Sequence, residues 1–68
     1  MEVLRYGDRG DLVREVQARL RELGYKAETT GVMDNQTMRA LINYQRASGI
    51  FPNSGQIDEQ TLRALKLR

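Results

Sequence analysis

Apolar positions fall into three bursts of helical spacing separated by glycine-bearing turns. Leu12, Val13, Val16, Leu20 and Leu23 recur at the i, i+3, i+4 intervals of one helical face, while Arg14, Glu15, Arg19, Arg21 and Glu22 occupy the rest. With Gly24 as a left-handed stop, a first helix is predicted over about 10–23. The second burst is wider. Gln36, Arg39, Asn43 and Arg46 form one polar stripe, and Met38, Ala40, Leu41, Ile42, Tyr44 and Ala47 fill the remaining surface up to Gly49. So broad an apolar arc predicts a helix over about 35–48 that is covered on two sides, the central one. A short third helix over about 59–66 turns Leu62, Ala64, Leu65 and Leu67 inward, and Val3, Leu4 and Tyr6 are expected to lie against the bundle as a lead-in. Pro52 disfavours helix at Phe51, leaving 50–55 as an extended piece that becomes a turn. No stretch alternates long enough for a sheet. The pattern predicts an all-α chain, a compact three-helix bundle forming a single domain over 1–68.

The starts of the second and third helices are one device written twice. GVMDNQTMRAL at 31–41 returns twenty-four residues later as GQIDEQTLRAL at 55–65, with seven of eleven positions identical. In each copy a glycine turn delivers an apolar residue, Met33 or Ile57, and then an aspartate, Asp34 or Asp58, suited to cap the first-turn amides. That register places Met38 and Leu62 where they can staple back onto Met33 and Ile57, and Thr37 and Thr61 at the third helical position.

Composition narrows the chemistry. The 68 residues include no cysteine and no histidine, so disulfides, thiol or serine–histidine nucleophiles and the usual zinc sets are excluded. Asp34 and Asp58 are the best placed acids, and capping accounts for both; no catalytic residue, metal ligand or cofactor site is expected. The net charge is +2, with signs alternating instead of clustering, the signature of a solvated surface. Arg9-Gly10-Asp11 matches a cell-adhesion triplet, but it falls at a helix start, where Gly10 and Asp11 have local roles. No apolar run approaches the ~20 residues needed to cross a bilayer, and the first residues lack a signal-peptide layout.

The order Gly7-x-x-Gly10-x-x-Val13-x-x-Val16-Gln17-x-x-Leu20, then Leu23-Gly24-Tyr25, then Gly31-Val32-Met33-x-x-x-Thr37-x-x-Ala40-Leu41-x-x-Tyr44-Gln45, then Gly49 and Gly55-x-Ile57-Asp58-x-x-Thr61-Leu62-x-Ala64-Leu65 resembles the peptidoglycan-binding domain 1 family from about Leu4 to Leu67. Thr30-Gly31 and Met33-Asp34 depart from the family's usual Asp-Gly and aromatic-Gly pairs while preserving turn and cap. The resemblance implies a non-catalytic three-helix module that binds bacterial peptidoglycan and anchors a covalently linked cell-wall hydrolase. A monomer working in the cell wall or periplasm is expected, with no nucleic-acid or membrane partner. A module opening at the start methionine is similar, further, to those of bacteriophage endolysins.

A wall polymer offers sugar faces, N-acetyl amides and stem-peptide carboxylates, which call for an aromatic shelf, amide partners and arginine. Tyr25, Asn35, Arg39, Asn43 and Phe51 supply those types beside the repeat turns and are the candidate ligand-binding residues. Bland roles compete: Tyr25 and Phe51 can plug bundle ends, and the polar stripe can simply be solvated. Gln17 and Gln45 are expected to bond loop backbone, and Tyr44 to enter the core. Two other classes fit three helices, a helix-turn-helix nucleic-acid binder and a protein-docking module using Ile42 and Phe51. The first lacks a basic stripe.

Overall fold

The structure, a computed structural model, describes residues 4–51 and 53–68. Three helices form in chain order, α1 (Asp11–Glu22), α2 (Asn35–Ala47) and α3 (Glu59–Ala64). No strand occurs among the described residues, only two isolated antiparallel bridges, Leu4 with Ile57 and Arg9 with Val32.

Both aspartate caps are in place. Asp34 Oδ1 accepts the Thr37 amide and Asp58 Oδ1 the Thr61 amide, each at 2.8 Å. The first helix starts differently. Its N-cap is Gly10, with no side-chain cap, and Asp8 instead accepts the Arg5 amide at 2.8 Å to close a turn ahead of the helix. In the Arg9-Gly10-Asp11 triplet, Gly10 donates its amide to Gly31 O at 3.0 Å and Asp11 begins α1, so the triplet belongs to a helix start.

All three helices stop by the same pair of hydrogen bonds. After α1, Gly24 N donates to Arg21 O and Tyr25 N to Leu20 O; after α2, Gly49 N to Arg46 O and Ile50 N to Gln45 O; after α3, Lys66 N to Arg63 O and Leu67 N to Leu62 O. This is the Schellman arrangement, which needs a left-handed residue at its corner. Glycine fills that corner twice, whereas Lys66 fills it the third time at φ 63°.

One apolar core joins the helices, and loops contribute a third of it. Val13, Val16 and Leu20 come from α1, Ala40, Leu41 and Tyr44 from α2, and Leu62 and Leu65 from the region of α3; Ala27, Met33, Ile50 and Ile57 come from the connections. The lead-in stitches to both repeat copies at equivalent residues. Leu4 and Ile57 exchange two backbone bonds of 2.9 Å, while Gly7 N donates to Met33 O and Met33 N to Asp8 O, both at 2.8 Å.

Four expectations about apolar positions are corrected. Tyr6 is 60% exposed and Leu23 44% exposed, and Ala47 and Ala64 lie on the surface. Leu23, Ala47 and Ala64 stand at helix ends, where the chain turns out of the regular spiral and periodicity no longer fixes a direction. Tyr6 sits in the turn that Asp8 closes, so its neighbours' backbone makes the contacts with the bundle. Val3 lies outside the described residues.

The strongest polar feature is a pair of buried glutamine brackets. Gln17 Nε2 donates to Thr37 Oγ1 (2.8 Å), Val32 O (2.9 Å) and Thr30 Oγ1 (3.1 Å), and its Oε1 accepts the Gly31 amide (2.8 Å). Gln45 repeats this: Nε2 donates to Gln56 O (3.0 Å) and Thr61 Oγ1 (3.1 Å), and Oε1 accepts the Gly55 amide (3.0 Å). Both side chains are fully buried, and among the described residues no buried side-chain polar atom lacks a partner. The duplicated unit is therefore larger than the eleven-residue match. It begins with a helical glutamine, crosses a loop and ends at the threonine of the next helix, and α2 closes the first unit while opening the second.

Candidate functional site

The outward stripe of α2 forms one wall of a trough of about 320 Å³, through Gln36, Arg39, Ala40 and Asn43; Tyr25 and Lys26, just past the end of α1, form the other. The Schellman turn fixes where Tyr25 leaves the helix, since its amide is bonded to Leu20 O at 2.9 Å. Its half-buried ring meets Tyr44 edge to face, centroids 5.8 Å apart and planes at 88°, so a core residue sets the angle of the shelf. Gln36 ties the two walls together, accepting the Glu28 amide at 3.0 Å. A second depression of about 460 Å³ shares Tyr25, Lys26 and Gln36 and continues past Arg21, Gly24 and Glu28. Tyr25 thus stands in the middle of a continuous furrow.

The furrow is cationic. Arg21, Lys26 and Arg39 line it against a single carboxylate, Glu28. None of the three is in an ion pair with another described residue, whereas Arg14, Arg19 and Arg63 are paired with Asp11, Glu22 and Glu59. Such a surface can accept a carboxylate at Arg39 or Lys26, an apolar ring face on Tyr25, and an amide at Asn43 or Gln36.

Three of the five sequence-predicted residues, Tyr25, Arg39 and Asn43, are brought together here, and two are not. Asn35 is exposed on the first turn of α2, one turn before Arg39 and outside the furrow lining. Phe51 is 72% exposed on the loop leading to the second repeat copy, away from these residues and plugging nothing. Sequence reasoning missed Lys26 and Gln36 as lining residues. Gln36 belongs to the polar stripe and was within reach of that argument; Lys26 depends on the path of the loop after Gly24, which no periodicity encodes.

The Asp34 carboxyl is held below its usual value by hydrogen bonds from the Thr37 hydroxyl and amide, so it stays ionised and committed to capping. No cluster of metal-ligating side chains occurs among the described residues.

A third depression, about 490 Å³, lies at the start of α3 along Asp58, Glu59, Gln60 and Arg63. By the twenty-four-residue repeat, Gln60 and Arg63 correspond to Gln36 and Arg39, and Glu59 stands where α2 has Asn35. Glu59 contacts two cations, Arg63 Nε and Arg68 Nη1, each at 3.7 Å.

Residues 9–65 match the family model described as "Putative peptidoglycan binding domain". Among solved structures, the chain is similar to the N-terminal domain of SleB, at 33% identity and a TM-score of 0.88 over 97% of this chain and 90% of that one. It is also similar to the endolysin of Burkholderia phage AP3, at 26% identity and a TM-score of 0.86; 94% of this chain is covered and only 24% of the endolysin. No curated protein sequence matches it.

Proposed function

The chain belongs to the peptidoglycan-binding domain family, and from that premise we propose that it is a non-catalytic module that holds an attached cell-wall hydrolase on bacterial peptidoglycan through the furrow between α2 and Tyr25. The observation that supports this site is the gathering, on one side of the molecule, of a fixed aromatic shelf, two amides and three cations without ion-pair partners among the described residues. Peptidoglycan carries the matching groups. The module acts as a monomer in the wall or periplasm, arriving with its parent protein or by phage lysis. No described helix is long and apolar enough to cross a membrane.

Sedimentation with purified sacculi tests the assignment. The parent should pellet with the wall, and Arg39→Ala combined with Asn43→Ala should reduce the bound fraction several-fold while leaving the helical circular dichroism unchanged, as expected for exposed positions. Equal retention of the double variant would move the site off α2. Salt-sensitive retention on DNA with none on sacculi would favour the nucleic-acid reading instead.

A further inference from the structure

The two repeat copies form a natural internal comparison. Each helix begins with an aspartate cap, then presents glutamine two residues on and arginine five residues on: Asp34, Gln36 and Arg39 in one copy, Asp58, Gln60 and Arg63 in the other. The residue four before the arginine differs in charge, and side chains four apart on a helix are neighbours. At α3 it is Glu59, whose Oε1 lies 3.7 Å from Arg63 Nε and whose Oε2 also meets Arg68. At α2 it is Asn35, which carries no charge, and Arg39 has no ion-pair partner among the described residues.

Resting on the reading above, we propose that Arg39 binds a free carboxylate of the peptidoglycan stem peptide, and that the neutral residue at position 35 keeps this arginine available. The charge of the furrow points to that part of the polymer. N-acetylated glycan sugars joined into strands bring amides and hydroxyls, whereas the stems bring carboxylates. A guanidinium with no ion-pair partner among the described residues, lining the same trough as Lys26, gains from the second kind of group and little from the first. In the α3 copy the same arginine is met by an internal carboxylate, so that depression is not a second binding site.

The decisive variant is Asn35→Glu, which copies the α3 arrangement onto α2. It will fold: Glu59 occupies the same first-turn position in this protein, and an acidic residue there suits the helix dipole. Binding is measured by calorimetry to a soluble stem peptide with free carboxylates, to the same peptide with its carboxylates amidated, and to oligomers of N-acetylglucosamine, which carry no carboxylate; retention on whole sacculi is measured in parallel. Asn35→Glu and Arg39→Ala should each weaken the free-acid peptide roughly tenfold, the scale of losing one charge-assisted contact. Amidating the peptide should do the same to the parent, and raising salt should weaken the parent more than it weakens Asn35→Glu. Asn35→Gln and Arg63→Ala should stay within about twofold of the parent. Sacculus binding that persists unchanged in Asn35→Glu, with the carboxylate-free sugar oligomers bound as tightly as the free-acid peptide, overturns the carboxylate assignment and leaves wall binding standing. No retention of the parent on sacculi overturns the function proposed above.

Discussion

Replacing Gln17 by leucine tests whether the buried bracket holds the fold. Leucine nearly conserves the volume and removes both ends of an amide that makes four hydrogen bonds while fully buried. Not every partner is stranded equally. Val32 O keeps the Asp34 amide at 2.8 Å, and Thr30 is exposed to water. The Gly31 amide loses its acceptor in a buried residue, a defect that costs about 1–3 kcal/mol by itself. With the weaker loss at Thr37 and Val32 and a partial offset from the more apolar side chain, the net destabilisation comes to about 3 kcal/mol. A domain of this size has roughly 3–10 kcal/mol in total. Thermal unfolding followed at the helical circular dichroism band should therefore shift down by roughly 15–20 °C. Gln45→Leu should behave alike and slightly milder, since its bracket has one bond fewer. A Gln17→Leu melt within about 3 °C of the parent would refute the bracket as a structural necessity.

Three further outcomes follow from the geometry. Lys66→Gly should stabilise the chain by about 1 kcal/mol, seen as a higher denaturant midpoint, because the third Schellman corner now holds a side chain at φ 63°. Gly55→Ala should destabilise by about 2–3 kcal/mol and Gly31→Ala by less, since a Cβ at Gly55 would stand 2.8 Å from Met38 Cγ and beside Ile42, whereas at Gly31 it would meet the movable end of Arg14 at 3.0 Å. The depressed Asp34 carboxyl makes capping stability fully present above its ordinary value of 3.8 and lost as pH falls through the lower folded value. Asp34→Asn retains an acceptor oxygen at every pH, so its melting temperature should decline less steeply than the parent's below about pH 4. Parallel acid limbs for the two proteins would remove Asp34 from the pH dependence.

Much of the backbone was legible because its signals are local. Expected helices at about 10–23, 35–48 and 59–66 meet observed ones at 11–22, 35–47 and 59–64, and both aspartate caps stand where the repeat placed them. Gln17 and Gln45 bond loop backbone as expected. What escaped is set by tertiary context. Nothing in the chain marks Lys66 as left-handed, because the third corner lacks the glycine that flags the other two. The first helix also starts without the side-chain cap of the other two: the Asp8 carboxylate closes a preceding turn and the uncapped Gly10 starts α1. In the furrow, one helical stripe placed Arg39 and Asn43 together, while the juxtaposition with Tyr25 and Lys26 depends on a loop whose path is set by Gln17 from another helix.

That dependence connects the repeat to the surface. A chain this short cannot enclose a ligand; it must recognise one on a shallow face whose groups are already in position. α2 is anchored at its first turn by the Asp34 cap and the Gln17 to Thr37 bond, and near its last turn by Gln45 reaching into the following loop. Gln36, Arg39 and Asn43 project between those anchors. The facing wall is fixed by the Schellman turn at Tyr25, the ring contact with Tyr44 and the Glu28 to Gln36 bond. Sharing one helix between two bracketed units thus holds the proposed binding face of this 68-residue chain from both ends. On α3 the corresponding exposed arginine has Lys66 and Arg68 near it in sequence, and Glu59 meets Arg63 and Arg68 together.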